Sequence, residues 1–215
     1  IKTNHSLDSN ENYVSAWVNI NPDNSIELTI PRVEMGQGTY TSLSQLVAEE
    51  LDVSWDSIRV SHAPVNRLFS NVGLFWDGTG DPPGTTTRTI ISRIIGTQMT
   101  GGSSSIRDGW SALRPAGATA RALLIRKAAE KWGVEQSECT TNQGVIIHKK
   151  SEKSATYGEI ATIKSDLKIP KNVSLLDPSL FKIIGKSVKR IDTKYKINGS
   201  AGFGIDIQLP GMLLA

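Results

Sequence analysis

Two runs of alternating apolar residues, Val14, Ala16, Val18 and Ile20, then Ile26, Leu28 and Ile30, flank Asn21-Pro-Asp-Asn-Ser25. Alternation sends successive side chains to opposite faces of an extended strand, and a Pro-Asp-Asn segment reverses the chain. The stretch is therefore predicted to be a β-hairpin with one buried face. That face needs something apolar to lie on. The next periodic segment supplies it: Leu43, Leu46, Val47 and Leu51 repeat at helical spacing, with Ser and Thr ahead of them as candidate N-caps. Gln45, Glu49 and Glu50 fall largely off this stripe and read as a solvated face.

A short strand is predicted at Ile58–His62, followed by a long Gly- and Pro-rich loop from about Ala63 to Thr89. A second amphipathic helix carries Trp110, Leu113, Ala120, Leu123, Leu124, Ala128 and Trp132. Pro115 and Gly117 are positions where it would kink or split, and Gly133 closes it. Gly144–His148 reads as a strand and Tyr157–Ile163 as a short helix, while Lys164–Lys186 has no period. A last alternation, Ile205, Ile207 and Leu209, follows Asn198-Gly199. Hairpins and helices mix without a βαβ rhythm, so the expected class is α+β, with β-hairpins packed against two amphipathic helices. The 215 residues allow one domain or two small ones. Residues 1–12 are polar and read as a frayed end or linker. The chain starts at Ile1 and stops in the apolar Pro210–Ala215 stretch, so continuation on both sides is expected.

Several classes of chemistry are excluded. A single cysteine, Cys139, leaves no internal disulfide and no cysteine-ligated iron–sulfur cluster; it reads as a small buried hydrophobe. His5, His62 and His148 lack metal-ligand spacing, so no metal site is expected. No apolar run approaches the roughly 20 residues of a membrane-spanning helix. Between Lys149 and Lys196 there are 12 Lys and Arg against 5 Asp and Glu. The lysines are evenly spread and aromatics are few, which describes a solvated surface better than a nucleic-acid site. The five tryptophans read as core or interface packing. No catalytic acid, base or nucleophile stands out.

Two segments can carry ligand chemistry. Thr100-Gly-Gly-Ser-Ser-Ser105 places glycines and hydroxyls immediately before a helix, whose free N–H groups favour an anion; it has the makings of a phosphate cradle, or of a Gly/Ser linker that caps the helix. Met35-Gly-Gln-Gly38 is a second turn before a helix. There, glycines on both sides would hold the Gln37 amide forward as a paired donor and acceptor, or make an ordinary turn.

Taken together these segments resemble the molybdenum hydroxylases of the xanthine oxidase and aldehyde oxidase superfamily. The nearest likeness is to the permuted large subunit of isoquinoline 1-oxidoreductase and related membrane-associated aldehyde dehydrogenases. The resemblance rests on Glu34-Met-Gly-Gln-Gly38 with Leu46-Val-Ala-Glu-Glu-Leu51, and on Gly101-Gly-Ser-Ser-Ser-Ile-Arg107 with Trp110, Leu113-Arg114 and Ala116-Gly-Ala118. Ala128-Ala129 with Trp132, Tyr157-Gly-Glu159, Lys196-Ile-Asn-Gly199, Phe203-Gly204 with Asp206, and Pro210-Gly-Met212 continue it.

The resemblance implies a molybdopterin-binding-like domain over residues 13–186 and the beginning of a hammerhead domain over 187–215. It implies a molybdopterin cytosine dinucleotide with molybdenum. Gly36, Gln37 and Gly38 would lie against its pterin or phosphates, and Thr100, Gly102, Ser103, Ser104 and Ser105 against the pyrophosphate. Implied partners are the remainder of the large subunit, a separate 2Fe-2S small subunit and a cytochrome c electron acceptor, in a periplasmic or membrane-associated setting. The implied reaction hydroxylates an aldehyde or N-heterocycle with oxygen from water. The family's active-site glutamate has no counterpart in this sequence, so no turnover is expected from residues 1–215 alone. A non-catalytic module that binds a nucleotide or another protein is the alternative.

Overall fold

The structure is a computed structural model, and it describes residues 13–75, 90, 94–163, 170 and 173–213. The expected disorder of residues 1–12 and the centre of the long loop lie outside these residues.

A four-stranded sheet in the order β1-β2-β3-β4 is built from Tyr13–Ser15, Val18–Ile20, Ile26–Ile30 and Ile58–His62. The hairpin at the Pro-Asp-Asn turn forms as expected, pairing Val18 with Leu28 and Ile20 with Ile26. The first apolar run is not one strand. It folds back at Ala16-Trp17, so that Ser15 pairs with Val18 and β1 lies antiparallel to β2. β4 pairs parallel to β3, with Ile26 opposite Ile58 and Ile30 opposite His62. Helix α1 (Thr39–Leu51) is the crossover between them. The chain thus contains one βαβ unit that its sequence rhythm did not announce, because a single crossover sets no repeat.

Helix α2 (Ser105–Trp132) is 28 residues long and continuous through Pro115. Gly133 ends it at φ 68°, its N–H bonded to the carbonyls of Ala129 and Glu130, as expected of a left-handed C-cap. Leu43, Leu46, Val47 and Leu51 of α1 join Leu113, Ala120, Leu124 and Ala128 of α2 in one core with the inward residues of β2 and β3. Close approach of the two helices depends on small residues. A methyl added at Gly117 would lie 2.7 Å from the Val47 carbonyl oxygen, and one at Gly109 would lie 2.5 Å from Leu43 Cδ2. Gly109 meets Leu43 and Leu46, whereas Gly117 meets Val47 and Glu50, so α1 and α2 run in the same direction. Their N-termini therefore share one end of the domain.

Beyond α2, β5 (Cys139–Asn142), β6 (Val145–His148) and β7 (Lys153–Thr156) form an antiparallel three-stranded sheet. Cys139 is buried, as expected. A capping box on Thr156 and Glu159 starts α3 (Tyr157–Ala161). The buried Tyr157 hydroxyl donates to the Leu51 carbonyl at 2.8 Å, fixing α3 on the end of α1.

Residues 173–192 have no strand and only one 3-10 turn, at Pro178–Leu180. They run antiparallel along α1 as a strap. Glu49 and Glu50, expected on a solvated face, are 3% and 0% exposed because this strap covers them. The Glu49 carboxylate accepts the backbone N–H groups of Lys182, Ile183 and Ile184. Glu50 accepts that of Leu176 and pairs with the buried Arg114 at 2.7 Å. A covered backbone without a sheet partner needs acceptors from side chains, and these two carboxylates supply them. Helix α4 (Thr193–Ile197) follows. The alternation at Ile205, Ile207 and Leu209 forms no strand: Gly204–Asp206 is a 3-10 turn and all three apolar side chains are exposed. With no neighbouring strand beside it, alternation alone does not make a sheet.

Candidate functional site

Because α1 and α2 are parallel, the turn before α1 and the loop before α2 meet. The Val33 backbone N–H donates to the Thr100 hydroxyl oxygen at 2.8 Å, joining the two directly.

In the first turn, Gly36 and Gly38 adopt φ 102° and 86°, a region that glycine enters without steric cost. Both face open space, with no atom within 4 Å of where a Cβ would stand. The Gln37 amide is not projected forward as expected. Its oxygen accepts from the Met35 N–H at 2.5 Å and its nitrogen donates to the Val33 carbonyl at 2.8 Å, so the side chain closes its own turn. The helix is capped by no Ser or Thr, because Gly38 holds the N-cap position. Glu34 does the work instead. Its carboxylate accepts the N–H groups of Gly36 and Gly38 at 2.8 and 2.9 Å and of Tyr40 at 3.1 Å. Partial burial opposes the charge, but these three donors outweigh it and hold the carboxyl below its ordinary pKa. The positive end of α1 is thus neutralised from within the chain.

The second loop is arranged differently. Gly102 and Ser103 have φ 59° and 51°, and both are exposed. Among the described residues the N-cap Ser104 makes no side-chain cap hydrogen bond to the first turn of α2, and free N–H groups at a helix start suit an anion. Ser103 and Ser105 sit at its rim, with Thr100 and Gly102 beside them. Ser104 turns inward and is fully buried; its hydroxyl donates to the Gly101 carbonyl at 2.6 Å and accepts from Asn71 Nδ2 at 2.6 Å. Its role here is to hold the loop. Asn71, also fully buried, donates in addition to the Met99 carbonyl.

Beneath both segments lies a buried ion pair between Arg32 and Asp108. Arg32 also donates to the carbonyls of Pro31 and Phe69, while Asp108 accepts the N–H groups of Val72 and Gly73 at 2.9 and 3.1 Å. Burial pushes the Asp108 carboxyl up against the pull of Arg32 and those amides. A methyl at Gly73 would meet the Asp108 backbone nitrogen at 2.9 Å, so this close seating requires glycine. Asp108 also reaches a cleft of about 590 Å³ walled by Trp17, Arg67, Ser70 and Ser111.

Sequence reasoning missed Arg32, Asp108, Asn71 and the capping role of Glu34. Only Glu34 left a signal, as an acid just ahead of a helix start. As for a metal, no group of three or more His, Cys, Asp or Glu among the described residues is placed to hold one. The donor set of the Thr100–Ser105 loop, amide N–H and hydroxyl groups, fits the phosphates of a dinucleotide.

Comparison with known proteins relates this α+β fold to a cofactor-binding domain. Residues 2–73 match the family model of the molybdopterin cofactor-binding domain. The chain is 30% identical over 237 residues to isoquinoline 1-oxidoreductase subunit beta of Brevundimonas diminuta, across 94% of this chain and 28% of that one. It is 28% identical over 207 residues to a membrane-bound aldehyde dehydrogenase (pyrroloquinoline-quinone) of Gluconacetobacter polyoxogenes, across 92% and 23%. Quinoline 2-oxidoreductase from Pseudomonas putida 86 superposes with a TM-score of 0.44 at 16% identity, over 67% of this chain and 15% of that one. The chain is related to the molybdenum hydroxylases of the xanthine oxidase and aldehyde oxidase superfamily. It spans less than a third of the length of these relatives. Among the described residues no helix is long and apolar enough to cross a membrane.

Proposed function

We propose that this chain forms part of the seat of a molybdopterin cytosine dinucleotide in a molybdenum hydroxylase. The carrying observation is the Val33–Thr100 hydrogen bond, which sets two glycine turns side by side at the shared end of two parallel helices. The turns divide the work. Thr100, Gly102, Ser103 and Ser105 take the pyrophosphate at the start of α2, with Ser104 as the buried post beneath them. The exposed Gly36–Gly38 turn, its helix dipole already satisfied by Glu34, offers backbone and the Gln37 edge to the pterin side.

When bound, the cofactor supplies the hydroxylation of an aldehyde or N-heterocycle with oxygen from water. This chain's residues bind and orient it; the remainder of the large subunit, a 2Fe-2S subunit and a cytochrome c acceptor complete the system. Residues 187–215 begin a hammerhead domain that forms with that remainder, in a periplasmic or membrane-associated enzyme of the isoquinoline 1-oxidoreductase type.

Ser103→Asp tests the reading, because Asp tolerates the positive φ at this position and adds only charge. In the assembled enzyme it is expected to lower molybdenum and acid-released cytidine monophosphate together by about tenfold, as a like charge beside phosphate costs upward of ~1.4 kcal/mol. Ser103→Asn, of the same shape but neutral, is expected to retain both. Equal contents in Ser103→Asp and the wild type would make the loop a linker that only leads into α2.

A further inference from the structure

The strap's course along α1 ends at the glycine turn. Leu176 meets Glu50, Lys182–Ile184 meet Glu49, and Ile183 and Lys186 accept from Gln45. The Ile191 N–H then reaches the Thr41 hydroxyl at 3.2 Å. Arg190, beside it, spans the last gap. One guanidinium nitrogen donates to the Gly36 carbonyl at 3.0 Å and the other to Glu34 Oε1 at 3.2 Å. Its own fork is aimed by Asp192, which accepts from Nε and Nη2 at 2.9 Å each, and Lys196 pairs with Asp192 in turn. Glu34 Oε1 is the same atom that accepts from Gly36 and Gly38.

From this we infer that Arg190 is a positioning residue for the Glu34–Gly38 turn. It grips the turn at two points, the carbonyl between the glycines and the carboxylate that closes them, and carries the set of the strap into the set of the turn. Glycine at positions 36 and 38 leaves the backbone free to take many conformations, so a restraint from outside adds to the Gln37 and Glu34 bonds that close the turn from within. A planar five-donor fork can hold the Gly36 carbonyl, Glu34 and Asp192 together, which an ammonium on a flexible stem cannot do. Its importance for cofactor binding rests on the reading given above, but the restraint itself is a property of the chain without ligand.

Residue-resolved hydrogen exchange on the 215-residue chain tests it. Arg190→Ala is expected to speed exchange at the Gly36, Gly38 and Tyr40 amides by about tenfold, the scale of a lost charge-assisted contact. The amides of Leu46–Leu51 in α1 and of Lys182–Ile184 in the strap are expected to keep wild-type rates. Arg190→Lys is expected to fall between, since it retains one contact. Wild-type rates at the turn in Arg190→Ala would overturn the assignment, and so would acceleration spread evenly over turn, helix and strap, which marks a general structural role. Failure of the Ser103 test would leave this result standing, because no cofactor enters the exchange measurement.

Discussion

Glu49 and Glu50 are neighbours in sequence on α1, yet they serve different groups. Glu49 spreads its charge over three consecutive strap amides, whereas Glu50 is shared between the Leu176 amide and the Arg114 guanidinium. Arg114 is committed further: it lies 4.5 Å from the Trp110 ring centroid and 5.0 Å from that of Phe181, and donates to the Leu176 carbonyl. Removing one member of a buried pair leaves the other charged and unpartnered. Glu50→Ala is therefore expected to destabilise the chain by about 3–5 kcal/mol, measured as a lowered urea midpoint. A loss under about 1 kcal/mol, the ordinary surface value, would mean that solvent reaches Arg114 after all. From sequence these acids looked solvated because amphipathic periodicity scores a carboxylate as an outward residue. It has no means of seeing a strap from far along the chain that arrives with unpaired N–H groups.

At the scale of elements, the α1–α2 contact decides whether the site exists, since it sets the two turns at one end. Its glycines differ in what they face. Gly117 sits against backbone, the Val47 carbonyl, while Gly109 sits against the tip of the Leu43 side chain. A side-chain tip can rotate away, whereas a helical carbonyl cannot move without its helix. Gly117→Ala is therefore expected to cost about 1–3 kcal/mol despite the better helix propensity of alanine, and Gly109→Ala distinctly less. Equal thermal midpoints for the two variants would contradict the close-packing account. These elements were largely legible in the sequence: the Pro-Asp-Asn hairpin, both long helices, the Gly133 cap and the 145–148 strand all have local causes. The fold-back at Ala16-Trp17 and the parallel pairing of β3 with β4 were not legible, because each is decided by which strand lies alongside. The exposed alternation at Ile205–Leu209 makes the same point in reverse.

For the whole molecule, the two candidate segments were visible from glycine and serine content, but their relation was not. Nothing in the spacing of residues 36–38 and 100–105 tells that Val33 bonds Thr100, or that Glu34 already occupies the positive end of α1 while the N-cap Ser104 of α2 turns its hydroxyl to the Gly101 carbonyl instead. On the proposed reading, that asymmetry assigns the phosphate to the second loop and leaves the first turn as a shaped edge that Arg190 holds from outside. In the proposed role, this chain works as one wall of a dinucleotide site. Native mass spectrometry of the complex purified through this chain tests it most directly. The expected result is the 23.3 kDa polypeptide within a larger assembly that also carries the mass of a molybdopterin cytosine dinucleotide. An assembly that includes this chain and its neighbouring polypeptides but holds no dinucleotide would contradict it.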